Sequence, residues 1–100
     1  MMIEVRKTVS FDRWLLALRD PGAAARIKER IRRLGVGSFG DTRSVGAGVE
    51  EIRIHYGLGY RIYFLRLGAQ VVLLLAGGDK RHQWRDIDRA IRLRNGLEDD

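Results

Sequence analysis

The sequence has no cysteine, one proline and two histidines. Without cysteine there is no disulfide framework and no thiolate metal site; the absence fits a reducing compartment. Two histidines without clustered carboxylates argue against a metal centre of any kind. No apolar run is long enough to span a bilayer. The longest, Val71 to Ala76, falls far short of the ~20 residues a transmembrane helix needs. The first seven residues, Met-Met-Ile-Glu-Val-Arg-Lys, lack the apolar stretch of a signal peptide. The expectation is a cytoplasmic protein with no membrane association. Glycine-rich phosphate loops, dinucleotide fingerprints and a Gly-x-Ser-x-Gly elbow are absent too, and no cofactor is expected.

What the chain does have is positive charge. In 100 residues, 19 are Lys or Arg and 13 are Asp or Glu, a net charge of +6. Nearly all the excess is arginine, because the only lysines are Lys7, Lys28 and Lys80. Arginine presents a planar fork of donors that matches phosphate. The balance suggests a nucleic acid, an acidic protein partner, or both. The plainer alternative is a solvated basic surface that aids solubility. The length suits one domain, residues 1–100, with a single hydrophobic core.

Periodicity predicts an α+β fold. Ile3 to Val9 alternates as a half-buried strand. Ser10 is the expected N-cap of a first helix, with Asp12 behind it and Phe11, Trp14, Leu15 and Leu18 as its apolar stripe. Asp20-Pro21-Gly22 is expected to end it. A second helix follows, with Ala24, Ile27, Ile31 and Leu34 inward and Gly35 as the left-handed residue after its end. The two form an αα-hairpin. Arg26, Lys28, Arg30, Arg32 and Arg33 lie on the other faces of the second helix. Their simplest reading is a solvated face, with Arg30 and Arg33 able to steer a polyanion. Gly35 to Gly48 is irregular apart from a short strand near Thr42 to Val45. The period then becomes two, with strands Val49–Tyr56, Tyr60–Leu67 and Gln70–Ala76 joined by glycine turns into an antiparallel meander. The third of these is apolar on both faces and should be doubly covered. Gly77-Gly78 is expected to break it. A last helix runs from about Gln83 to Arg94 with Trp84, Ile87, Ala90 and Ile91 inward, stopped by Asn95-Gly96. Glu98-Asp99-Asp100 should be a mobile acidic tail.

Register picks out the candidate site. Ile52, Ile54, Tyr60, Ile62 and Phe64 must face the core, which pairing Ile54 with Ile62 achieves; a one-residue slip would bury charge. Arg53, His55, Arg61 and Tyr63 then share the opposite face, and a two-residue slip keeps them together. Arginines can bind a phosphate and stabilise charge developing on it. Tyr63 and His55 can stack on a base or move a proton. The plain alternative is an ordinary polar sheet face with Arg53 paired to Glu51. Lys80, at the end of the third meander strand, can join this face. His82, two residues on, is a further candidate acid or base, though a lone loop histidine is more often idle.

Several segments together resemble a known family: Gly48-Val49-Glu50-Glu51-Ile52-Arg53-Ile54, Gly59-Tyr60-Arg61-Ile62-Tyr63-Phe64, Leu73-Leu74-Leu75-Ala76-Gly77-Gly78-Asp79-Lys80, and Gln83 with Asp86-Ile87 and Ala90. In order and spacing they resemble the HigB-like addiction module killer protein branch of the RelE/ParE toxin superfamily. The likeness covers nearly the whole chain. It implies a twisted antiparallel sheet backed by helices and a toxin of a bacterial type II toxin–antitoxin module. RelE-like members cut mRNA in the ribosomal A site through metal-independent attack of a ribose 2′-OH on the adjacent phosphate. The implied partners are a cognate antitoxin with a helix-turn-helix, mRNA on the ribosome, and operator DNA through the antitoxin complex. Arg53, Arg61 and Lys80 match the basic positions that would hold the scissile phosphate, with Tyr63 as a stacking or relay residue. His82 matches no motif position. One departure stands out: after Trp84 the chain has neither Tyr nor His, where several RelE-like nucleases place an acid or base. Proton transfer would then fall to Tyr63, His55 or His82. The competing expectations are a ParE-like DNA gyrase inhibitor and a non-toxic co-repressor acting with its antitoxin.

Overall fold

A computed structural model describes residues 2–98, with Glu98 described by its backbone alone. Its elements are β1 (Glu4–Lys7), α1 (Val9–Ala17), α2 (Pro21–Gly35), β2 (Thr42–Gly46), β3 (Val49–Ile54), β4 (Tyr60–Gly68), β5 (Val71–Asp79), a 3-10 turn (Lys80–His82) and α3 (Gln83–Glu98). The sheet order is β1-β5-β4-β3-β2. Every pairing is antiparallel except β1 with β5. The α+β architecture, the helical hairpin, the meander and the C-terminal helix are as the sequence predicts. The tail expected at Glu98 to Asp100 lies outside the described residues from Asp99 on.

Helix boundaries differ from expectation where a side chain reaches the backbone. Thr8, not Ser10, caps α1: its Oγ1 accepts from Phe11 N–H at 3.0 Å and donates to the Leu75 carbonyl at 2.7 Å. That second bond ties the helix start to β5, so the first strand stops at Lys7 and Val9 is helical. Asp20-Pro21 opens α2 instead of closing α1. Asp20 Oδ1 accepts from Gly22 and Ala23 N–H, and Pro21 occupies the first turn, where its missing donor costs nothing. The left-handed residue beyond α2 is Gly37 (φ 85°), not Gly35. Gly37 N–H donates to Leu34 O and Ser38 N–H to Arg33 O, both at 2.9 Å, the paired bonds of a Schellman ending.

Both faces of the sheet are covered. α1 and α2 pack on Ile52, Ile54, Tyr60, Ile62, Phe64, Val72 and Leu74. Ile87 and Ala90 of α3 pack on the other face, against Val49, Tyr63, Leu73, Leu75 and Ala76. Ile52 lies opposite Ile62 and Ile54 opposite Tyr60, two residues from the expected pairing. The side-chain faces are therefore those expected, but the second is a covered layer and not an open polar surface. A register shift between Tyr63 and Phe64 makes room for one extra residue in β5, which puts neighbouring Leu75 and Ala76 on the same side.

Gly77 and Gly78 do not break β5; they let it pass between helices. A Cβ on Gly77 would sit 2.1 Å from the Trp14 ring, and one on Gly78 1.9 Å from Asp86 Oδ2. Such glycines mark close approach within a strand. Asn95-Gly96 likewise does not stop α3, which continues to Glu98. Trp84 is not inward: it is 80% exposed. On the helical wheel it lies about 100° around from Gln83, and the buried stripe is Asp86, Ile87 and Ala90.

The close approach of Trp14 makes Gly77 the most sterically restricted position in the strand. Gly77→Ala is expected to lower unfolding free energy by about 1–3 kcal/mol through overpacking. Urea denaturation measures it, and Gly68→Ala, where a Cβ meets nothing within 4 Å, should cost distinctly less.

Candidate phosphate-binding cleft

Arg53 of β3 and Arg61 of β4 are directly opposed across the ladder. Like charges so placed repel. The sequence resolves this two residues earlier, because strand alternation puts Glu51 on the same face. Glu51 is 0% exposed and accepts charge from three arginines. Its Oε1 lies 3.1 Å from Arg53 Nε and 3.6 Å from Arg43 Nε; its Oε2 lies 3.4 Å from Arg61 Nε. Gln83, at the start of α3, donates from Nε2 to Oε2 at 3.1 Å. Arg61 is itself only 9% exposed. Breaking such a buried pair by removing one partner costs about 3–5 kcal/mol.

Beyond this cluster is an open cleft of about 530 Å³ at the β3–β4 turn, lined by Arg53, His55, Tyr60, Arg61, Lys80 and the turn itself. Gly57 (φ 54°) and Gly59 (φ 77°) give the turn its left-handed backbone. Lys80 N–H donates to Gly59 O at 2.9 Å, which fastens the 3-10 turn beside the hairpin and brings the lysine into the lining. Arg61 Nε and Nη1 are buried without a hydrogen-bond partner among the described residues. Arg61 Nε faces Glu51 Oε2 at 3.4 Å, so the carboxylate holds it by ion pairing; what suits the cleft to an anion is the combined positive charge of Arg53, Arg61 and Lys80 in its lining.

Of the predicted site residues, the fold unites Arg53, His55, Arg61 and Lys80 in this cleft. Tyr63 is not with them. It is fully buried under α3, so it has no face on which a base could stack. Burial drives its phenol well above its ordinary value, and the charges of Glu51 and Asp86 push the same way. His82 is exposed on the 3-10 turn and is not part of the cleft lining. Arg30 is not a free surface cation: it donates to the carbonyls of Arg53 (3.1 Å) and Phe39 (3.2 Å). Desolvation there lowers its pKa, and its visible role is to brace the end of β3. Arg33 is exposed, 3.5 Å from Glu29, and with Arg26, Arg30 and His55 lines a smaller hollow of about 200 Å³ adjoining the first. The pairing of Arg53 with Glu51 that the sequence offers as the plain alternative is present, but sequence reasoning missed the hold of Glu51 on Arg61 and Arg43, Gln83 as its anchor and Asp86 beside the site. The signal for Glu51 was present, since it shares the odd-numbered face with Arg53.

Asp86 is 6% exposed and packs on Gly78, the residue opposite Arg61 in β5. Burial raises its pKa, partly offset by Arg85 and His82. Among the described residues, no group of three His, Cys, Asp or Glu could hold a metal ion. No helix there is long and apolar enough to cross a membrane.

No family model matches the chain. Its fold is similar to that of solved RelE-type structures. The structure of a mutant E. coli toxin RelE in the free state superposes with a TM-score of 0.67 at 12% identity, covering 89% of this chain and 98% of that one. A chain of the RelBE2 toxin–antitoxin complex from Mycobacterium tuberculosis superposes with a TM-score of 0.64 at 21% identity, covering 80% and 100%. In sequence, the chain is 46% identical over 90 residues to an uncharacterized protein of Haemophilus influenzae, spanning 90% of this chain and 91% of that protein. The two belong to one family.

The raised Asp86 pKa has a definite sign in stability. A carboxyl whose folded-state pKa is raised favours folding below its ordinary value of 3.8, and that contribution is lost as pH rises through the folded-state value. Asp86→Asn should therefore gain on the wild type as pH rises above the ordinary carboxyl value of 3.8. Urea midpoints across that range test it; parallel profiles for the two proteins would contradict it.

Proposed function

We propose that this protein is the toxin of a type II toxin–antitoxin module and acts as a ribosome-dependent, metal-independent mRNA endoribonuclease. The observation that carries this reading is the open cationic cleft in which Arg53, Arg61 and Lys80 meet beside His55, on a fold shared with RelE. In this reading the scissile phosphate lies against Arg61 and Arg53. The ribose 2′-oxygen attacks the adjacent phosphorus; the new 2′-O–P bond forms as the P–O5′ bond breaks. Charge accumulates on the phosphoryl oxygens, where fixed guanidinium donors are most effective. His55 is the cleft side chain able to take the 2′-OH proton. The Lys80 ammonium supplies a proton to the departing O5′. The products are a 2′,3′-cyclic phosphate and a 5′-hydroxyl.

The partners in this reading are mRNA on the ribosome and a cognate antitoxin of the helix-turn-helix kind found in HigB-like pairs. Operator DNA is bound through the toxin–antitoxin complex. The mycobacterial neighbour comes from a toxin–antitoxin complex, which supports the expectation of an antitoxin here.

Induction of the wild type should arrest growth and create new mRNA 5′ ends in phase with codons. Lys80→Ala and Arg61→Ala should each lose cleavage by on the order of 10²-fold while the exposed Lys80 variant still binds antitoxin. Toxicity retained in both variants would sink the proposed site. DNA damage without new RNA ends would favour a ParE-like action on gyrase instead.

A further inference from the structure

The cleft arginines are not held by the substrate's future position but from behind. Arg43, Arg53 and Arg61 all approach Glu51 through Nε. Arg53 makes its side-chain hydrogen bond by that nitrogen, and Arg61 Nη1 is buried with no partner. The carboxylate thus engages the inner corner of each guanidinium, and Gln83 holds the carboxylate from α3. A hub of this kind has to be acceptor-only. Oε1 faces Arg43 and Arg53 while Oε2 faces Arg61 and Gln83, four nitrogen donors around one carboxylate, with the Tyr63 hydroxyl opposite Glu51 in the ladder as a further neighbour. An amide offers one acceptor and one NH₂. Glutamine at this position would oppose donor to donor on one of the two sides.

We propose that Glu51 is a positioning residue for the cleft: it fixes Arg53 and Arg61 by their Nε corners and so sets how the two guanidinium groups face the phosphate. This rests on the nuclease reading above. Glu51 touches no substrate. Its charge also repels the phosphate it helps to receive, so removing it should move binding and turnover in opposite directions. A residue that only filled space would not separate the two.

The test compares Glu51→Gln with Glu50→Gln, which makes the same charge change on the opposite face, where Glu50 pairs with exposed Arg66. The probes are a single-stranded 2′-O-methyl RNA oligonucleotide for binding and mRNA on programmed ribosomes for cleavage. Glu51→Gln should bind the oligonucleotide as tightly as the wild type or tighter, yet cleave at least about tenfold more slowly. Glu50→Gln should cleave at the wild-type rate. Wild-type cleavage by Glu51→Gln, or binding and cleavage that fall together, would overturn the proposal. If Glu51→Gln does not fold, Gln83→Ala removes one donor from Oε2 without a charge change; a several-fold loss of cleavage at unchanged binding supports the proposal, and no loss overturns it. If the wild type itself does not cleave, the nuclease reading fails and the arginine Nε–H resonances decide the positioning claim. Shifted and broadened Arg53 and Arg61 signals in Glu51→Gln or Gln83→Ala support it, and unchanged signals overturn it.

Discussion

A single buried carboxylate reconciles the conflicting demands of this fold. Two arginines opposed across a β-ladder are useful for gripping an anion and unfavourable in its absence. Glu51 removes the conflict from the protein side without occupying the cleft. The formal charges of Arg53, Arg61, Lys80 and Glu51 still leave the site strongly positive. Burying Glu51 has a desolvation cost, which is repaid only because three guanidinium groups and the Gln83 amide surround it. The neighbouring layers follow from that requirement. α3 must begin beside β3 to deliver Gln83, and it must lie close on β5 to cover Tyr63 and the aliphatic residues around it.

That close packing explains the glycines. β5 carries two in succession because α1 presses on one side of it and α3 on the other. The same compression puts Asp86 next to Gly78 and Tyr63 out of reach of solvent. The hairpin turn is the opposite case: its glycines curl the chain away from the layers and open a concave surface, and the Lys80 amide then fastens the next element to it. A rigid, doubly covered sheet thus ends in a cationic cleft whose donors are aligned before any ligand arrives, the arrangement that favours electrostatic stabilisation of developing charge.

Much of this was legible in the sequence because period-two alternation is a hard constraint. It placed Arg53, Arg61 and Tyr63 on one face and Ile52 with Ile62 on the other whichever of two registers formed. What alternation does not encode is what lies above a face. The polar pattern Glu51, Arg53, Arg61 resembles a solvated surface, so Tyr63 looked available and is in fact sealed under α3. Glycine pairs looked like punctuation at Gly77-Gly78 and Asn95-Gly96 because local propensity favours breaks there. Tertiary approach at the first and helix continuation at the second prevailed. Thr8 displaced Ser10 as a cap for a non-local reason, its bond to Leu75, which no window of neighbouring residues contains. Helical spacing puts Trp84 on the inward side with Ile87 and Ile91, but the buried stripe is centred nearer Gln83 and Ala90.

The central claim is chemical: that this cleft holds an RNA phosphate while the adjacent 2′-oxygen attacks it. Mass spectrometry of mRNA recovered from ribosomes incubated with the purified protein tests that most directly. The account predicts fragments ending in a 2′,3′-cyclic phosphate with matching 5′-hydroxyl partners. Intact mRNA, or fragments with 3′-hydroxyl and 5′-phosphate ends, would contradict it.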